Sequence, residues 1–340
     1  MTPPRPVLRA RLTLAPGTGP DGPAKPPATG LRAAAAAPAT VVIEAGDGDR
    51  LRVVGSCALG DLGLVPGAPP DGPEVRAAPG LDVAAIARAL PGGRFEPVWL
   101  ELPSPRGYLH VLPWEALLLG LRRPLWRASR TAPLPRPGRA SLTVAVVAGG
   151  WPGEPRGLPD RPTEAWTVPT QCRADVRVFA GPPAVDPAAP WLPGVRASLD
   201  GHPLDVLHLV SPGVFADGRG AVRAPDGHPV GAAEITAFLD RTGAWCLMLT
   251  GSSRTGSLAA LRDLADAIAT TRPCVTLTHD ADEPHEPPAD LIPGRNLAPL
   301  FGRAFGTEAT GSAPPASPAV ACWVAPSFVN GHEPAELDPA

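Results

Sequence analysis

The sequence has almost no lysine: Lys25 is the only one, and arginine supplies the rest of the positive charge. Its 30 basic residues are balanced by 33 acidic residues, which gives a net charge of −3 and an isoelectric point of about 6.2. A protein that binds DNA or RNA through phosphate contacts needs a clustered basic face. The charge balance therefore argues against a nucleic-acid partner.

Long apolar runs are absent as well. A membrane-spanning helix requires about 18 or more uncharged apolar residues in succession, and the sequence contains no such run. The first residues, MTPPRPVLRARLTLAPG, also lack the apolar segment of a secretion signal. We therefore expect a soluble cytoplasmic protein without a membrane partner.

Cysteine is scarce, and no two cysteines form a CxxC pair. The five residues are Cys57, Cys172, Cys246, Cys274 and Cys322, at wide and irregular spacings. This pattern gives little support to a structural zinc site or a disulfide framework, and we expect no metal or other cofactor. Cys246 and Cys274 lie inside apolar runs, so we predict that both are buried and act as small hydrophobic side chains.

Proline and glycine, by contrast, are abundant, with 49 and 37 residues, and they mark the joints of the chain. Loops are predicted at 66–80, 132–139, 152–162 and 311–318. These joints divide the chain into three parts. Residues 1–38 are predicted to hold an N-terminal strand and a flexible Pro/Ala-rich segment, followed by an N-terminal half over 39–135 and a C-terminal half over 140–330.

Apolar runs alternate with helical patterns between these joints. Strands are predicted at 40–45, 51–57, 97–102, 142–149, 174–181, 205–211, 244–251 and 273–280, and helices at 81–90, 112–120, 231–243 and 257–271. Such alternation predicts an α/β fold with a mostly parallel sheet and helices on both faces. Ligands collect at the carboxyl ends of parallel strands. The turns at 211–213 and 251–256 therefore share one rim, provided that their strands are neighbours.

The segment GSSRTGS (251–257) lies between a predicted strand and a predicted helix. A phosphate-binding P-loop would have lysine after Gly256, where this chain has Ser257. A GxSxG nucleophile elbow around Ser253 fails at Thr255, and its base would have to come from 279–285 or from His332. The favoured interpretation is the start of a capped helix, with Ser252 or Ser253 accepting from free N–H groups.

Histidines and carboxylates cluster at the end of the last predicted strand of this series and just after it. Candidate metal ligands are His279, Asp280, Asp282, Glu283 and His285. No HExxH-like spacing supports a metal, and the acidic, proline-broken stretch 279–290 is more typical of a solvated loop. His208 lies between two leucines and is predicted to be a hydrogen-bonded core residue.

Five segments in register carry a family resemblance. They are 98–120, which contains LPWEALLLG; 205–222, which begins DVLHLVSPG; 228–256, which ends LTGSSRTG; PCVTLTHDADE (273–283); and ACWVAPSFVNG (321–331). Together they resemble the CHAT domain, a caspase-like peptidase family related to caspases and separase. The resemblance implies a caspase-like fold in two associated halves. It also implies work beside sensor or effector proteins in bacterial signalling or defence.

The resemblance also assigns the catalytic positions. In active members, the turn after the DVLH strand supplies a histidine just before a glycine, and the next strand ends at a nucleophilic cysteine. Here these positions hold Pro212 and Ser252, or Ser253 if the register shifts by one. Proline cannot move a proton, and a serine hydroxyl is a poor nucleophile without an adjacent base. Cys246 lies inside the strand and is a poor substitute, so we predict no catalytic dyad.

The resulting interpretation is a pseudo-protease, a binding or regulatory module that acts on protein partners which neighbouring genes could encode. His208, Ser211, Gly213 and Gly251 are the candidate residues of a remaining groove. The alternative is an active peptidase or hydrolase. It would use Ser252 or Ser253 with a histidine from elsewhere, such as His279 or His285.

Overall fold

The computed structural model describes residues 5–14, 39–48, 50–64, 81–93, 96–129, 142–150, 174–179, 191–280 and 320–325. The chain forms two compact units. The first is Met1–Leu125 with Ala316–Pro318, and the second is Trp126–Pro315 with Ala319–Ala340. None of the described helices has the length and apolar character needed to cross a membrane.

The first unit contains a small mixed sheet. Its strands are β1 (Pro6–Leu14), β2 (Ala39–Asp47), β3 (Arg50–Ala58) and β4 (Val98–Glu101), in the order β3-β2-β1-β4, and its helices are α1 (Val83–Ala89) and α2 (Trp114–Leu117). β1 is antiparallel to β2 and parallel to β4. Burial alternates along β2, as expected of a strand with one face on a core. The N-terminal strand at 6–14 is therefore integral to this unit.

The second unit is built on a larger, mostly parallel sheet. Its strands are β5 (Leu125–Ala128), β6 (Leu142–Ala148), β7 (Ala174–Phe179), β8 (Val206–Val210), β12 (Cys246–Gly251), β13 (Val275–Asp280) and β14 (Val320–Val324), in the order β5-β14-β13-β12-β8-β6-β7. Neighbours are parallel except β13 and β14. A smaller antiparallel sheet consists of β9 (Gly213–Ala216), β10 (Arg219–Arg223) and β11 (Pro229–Gly231).

Helices α3 (Trp191–Ser198), α4 (Ala232–Thr242) and α5 (Leu258–Thr271) complete this unit. They share one hydrophobic core with the sheet face that carries Leu207 and Leu247. Side chains on the opposite face, such as Val206 and Met248, are also buried. The predicted α/β class with a mostly parallel sheet is confirmed.

The structure also differs from the sequence prediction in several places. β5, β14, α3 and the β9–β11 sheet were not predicted. The helix predicted over 112–120 is confined to Trp114–Leu117, with 3-10 turns on both sides, and Arg122 ends the second turn with a left-handed φ of 53°. The predicted joint at 132–139 lies outside the described residues.

Candidate functional site

The carboxyl ends of β8 and β12 lie side by side. The two strands pair in parallel, with Val210 opposite Thr250, and Ser211 N donates to Thr250 O at 2.9 Å. The turns at 211–213 and 251–256 therefore meet at one rim, as the sequence predicted. We call these two turns together the rim.

Pro212 and Ser252, the two positions that the resemblance assigns to the dyad, are both at the rim. Pro212 is buried, and its carbonyl accepts the N–H of Arg223 at 3.1 Å. The Cβ of Pro212 would lie 2.9 Å from a Cβ placed on Gly256, so the two turns are in direct contact. Only a residue without a side chain fits at Gly256 against this proline.

Ser252 and Ser253 differ in their surroundings. Ser252 is 5% exposed, and its Oγ accepts the N–H of Arg254 at 3.2 Å. Ser253 is exposed, and its N–H donates to Asp280 Oδ1 at 3.3 Å. Of the two hydroxyls, the Ser253 hydroxyl is therefore the one open to solvent.

The helix cap predicted at Ser252 or Ser253 is wrong in its position. α5 begins at Leu258, and Ser257 is its N-cap, with Oγ accepting the N–H of Ala260 at 3.1 Å. Ser252 instead holds the preceding turn, because its carbonyl accepts the N–H groups of Thr255 and Gly256. The capped start itself is confirmed, but the chain makes a further turn before it enters the helix.

Ser211 has a structural role at the rim. Its side chain is fully buried, and its Oγ donates to Arg223 O at 2.6 Å and lies 3.0 Å from Arg223 N, from which it accepts. Gly150 N also donates to Arg223 O, and Gly149 N donates to Val210 O. The end of β10 thus covers the ends of β6 and β8, which places the predicted groove residue Ser211 beneath backbone.

The other predicted groove residues, His208, Gly213 and Gly251, are buried as well. A Cβ on Gly213 or on Gly251 would collide with the Leu261 side chain, because α5 packs directly against both glycines. The exposed part of the rim consists of Ser253, Arg254 and Thr255.

His208 forms a polar contact inside the sheet. It is 2% exposed, and its Nε2 lies 2.8 Å from Thr250 Oγ1 on the neighbouring strand. Burial, and to a lesser degree His279, lowers the pKa of His208 to about 3. The predicted hydrogen-bonded core histidine is confirmed, with a threonine that the sequence did not single out as its partner.

Asp205 ties the amino ends of three strands together. Its Oδ2 accepts the N–H of Thr143 at 2.8 Å, and its Oδ1 accepts the indole N–H of Trp245 at 3.3 Å. Its carbonyl also accepts the N–H groups of Trp245 and Cys246. Asp205 therefore stabilises the starts of β6, β8 and β12.

Several predicted metal ligands fall outside the described residues, namely Asp282, Glu283 and His285, and so does His332. His279 and Asp280 end β13. Among the described residues, no group of three or more His, Cys, Asp or Glu side chains could hold a metal ion.

The described cysteines are free thiols in buried positions. They are Cys57, Cys246, Cys274 and Cys322. Burial raises the pKa of Cys246, and it raises the pKa of Cys274 to about 11. The prediction that Cys246 and Cys274 are buried small hydrophobic residues is confirmed, and a protonated, buried Cys246 is not available as a nucleophile.

Comparison of the chain with protein-family models, with curated proteins and with solved structures gives no match.

Proposed function

We propose that this protein is a CHAT-like, caspase-like pseudo-protease that binds a protein partner in bacterial signalling or defence and does not cleave peptide bonds. The observation that carries the proposal is the pair Pro212 and Ser252 at the adjoining ends of β8 and β12. A cysteine peptidase needs an imidazole and a thiolate at these two places. Proline and a buried serine supply neither.

The histidine in the strand below the rim does not replace the missing base. His208 is 2% exposed and is hydrogen bonded to Thr250. A general base works best when its pKa is near the operating pH, whereas the pKa of His208 is lowered to about 3. At neutral pH, this imidazole is a weak proton acceptor, and it lies inside β8 and not in the turn that holds Pro212.

Binding remains open to the exposed rim residues. Ser253, Arg254 and Thr255 face solvent above the buried turn residues. We infer that the partner presents an extended peptide segment to these residues, as a substrate would to an active member of the family. The proposal therefore places partner binding at Ser253–Thr255 and not at the buried residues below.

Hydrolysis is tested with a mixed peptide library and a fluorophosphonate probe on the full chain. We expect neither peptide cleavage nor labelling. Labelling that disappears in Ser252→Ala or Ser253→Ala, but persists in the exposed-site control Ser56→Ala, would instead establish a serine hydrolase, with His279 and His285 as the next residues to replace.

Binding is tested by selecting peptides from a displayed library and measuring their affinity by fluorescence polarisation. Ser253→Trp should weaken binding about tenfold or more, which corresponds to about 1.4 kcal/mol. Ser56→Trp, at an exposed position on β3, should leave the affinity unchanged. Equal affinities for both variants would contradict partner binding at the rim.

A further inference from the structure

The second unit contains a cleft near the amino ends of β8 and β12, at the end of the sheet opposite the rim. Its volume is about 770 Å³, and its lining comes from the end of α3, the segment that leads to β8, and the end of α4. The segment before β8 is joined to the end of α4, because the N–H of Leu204 donates to Thr242 O at 3.0 Å. Because β8 and β12 begin near the cleft and end at the rim, the cleft and the rim are separate sites.

Two arginines and two aspartates line the cleft. Arg196 and Arg241 lie in the last turns of α3 and α4, and both line it. Of its two carboxylates, Asp240 is already paired, since Arg272 Nε lies 2.6 Å from its Oδ1. Among the described residues that line the cleft, Asp200 is then the one carboxylate without an ion pair. Two guanidinium groups thus stand against one uncompensated carboxylate.

The rest of the lining suits a small organic molecule. Apolar surface comes from the exposed residues Pro193, Ala197 and Pro203, and His202 adds an imidazole. Small-molecule sites commonly have volumes of about 300–1,000 Å³ and combine apolar walls with a few polar groups. The arginines can hold the anionic group of such a molecule, and the apolar wall can contact its organic part.

We propose that this cleft binds a small organic anion through a carboxylate or phosphate group held by Arg196 and Arg241. The planar guanidinium group donates paired N–H groups that match the oxygens of both kinds of anion. The apolar part of the ligand packs on Pro193, Ala197 and Pro203. The site is independent of the rim and of partner binding there.

Isothermal titration calorimetry of the full chain tests this proposal, with citrate and inorganic phosphate as probes at constant ionic strength set with chloride. We expect saturable binding of at least one probe. Arg196→Gln and Arg241→Gln should each weaken it about fivefold or more, because each removes one charged donor. Asp200→Asn should strengthen it, because a repelling carboxylate is lost.

Arg219→Gln is the matched control, since Arg219 is an exposed arginine on β10 outside the cleft. It should bind like the wild-type chain. Tighter binding of citrate indicates a carboxylate ligand, and tighter binding of phosphate indicates a phosphate ester. The proposal is overturned if neither probe binds saturably, or if Arg196→Gln and Arg241→Gln bind as Arg219→Gln does. Circular dichroism establishes that each variant is folded.

Discussion

At the scale of single residues, three buried polar side chains of the second unit hold neighbouring elements together. Ser211, Asp205 and His208 each have their hydrogen-bond partners on other elements. A buried polar group is costly unless it is paired. Ser211 and His208 therefore stabilise the sheet next to the rim, and Asp205 stabilises its opposite end.

His208 predicts a loss of stability in acid. The pKa of its imidazole is about 3 in the folded chain, against about 6.5 for an unfolded histidine. Between these values the unfolded chain binds the proton and the folded chain does not, so the free energy of unfolding falls as the pH falls. The expected slope is about 1.4 kcal/mol per pH unit from this group, and the effect vanishes above about pH 7.

Urea unfolding at a series of pH values between 7 and 4 measures this slope. His208→Gln keeps a polar partner for Thr250 but cannot be protonated, so its slope should be smaller by the contribution of one histidine. His228→Gln is the matched control, since it makes the same substitution at an exposed histidine. An unchanged slope in His208→Gln would contradict the buried neutral state.

Asp205→Ala should be strongly destabilising. The substitution leaves the N–H of Thr143 and the indole N–H of Trp245 without their acceptor at the start of the sheet. Each buried donor left unpaired costs about 1–3 kcal/mol, so we expect a loss of about 2–5 kcal/mol in urea unfolding. Asp240→Ala removes an exposed ion pair with Arg272 and should cost about 1 kcal/mol or less.

At the scale of elements, β10 is packed unusually close to α5. A Cβ on Gly220 would collide with the carbonyl of Ala260, and the N–H of Gly220 donates to Asp263 Oδ2 at 2.6 Å. Gly220→Ala should therefore cost about 2 kcal/mol or more in urea unfolding, because backbone must move apart. Gly231→Ala is the matched control, since a Cβ there meets nothing within 4 Å. Equal stabilities for the two variants would show that the elements are not in contact.

The elements that could be predicted from the sequence are those with a clear hydrophobic period. The apolar runs of β6, β8, β12 and β13 and the periodic leucines of α5 identify themselves locally. α3 was missed because Pro193 and Gly194 interrupt its pattern. The β9–β10 hairpin was missed although Asp217-Gly218, both with positive φ, is a common two-residue hairpin turn that could have revealed it.

The site, too, could be predicted only in part. The sequence predicted that the turns at 211–213 and 251–256 would meet, because they follow parallel strands that were expected to be neighbours. The role of Ser211 did not, because its partner Arg223 lies on a hairpin that the pattern failed to predict. The contacts of Asp205 join residues far apart in the chain, so no local pattern contains them.

At the scale of the whole molecule, each unit contains a buried cysteine whose alkylation reports local unfolding of that unit. Cys57 lies on β3 at the edge of the first unit's sheet and is 6% exposed, whereas Cys246 and Cys274 are fully buried in the second unit. Cys322 is 7% exposed on β14, between β5 and β13. An alkylating reagent reaches these thiols only when the surrounding structure opens.

Among the four cysteines that the structure describes, labelling with N-ethylmaleimide followed by peptide mass spectrometry should therefore modify Cys57 first under native conditions. Edge strands open at lower free energy than central strands, so Cys246 and Cys274 should react slower than Cys57 by about tenfold or more. In guanidinium chloride at denaturing concentration, the rates should converge, which serves as the control for intrinsic reactivity. If Cys246 reacted as fast as Cys57 in the native chain, β12 would not be a protected interior strand, and the pairing of β8 with β12 that brings the two turns of the rim together would be contradicted.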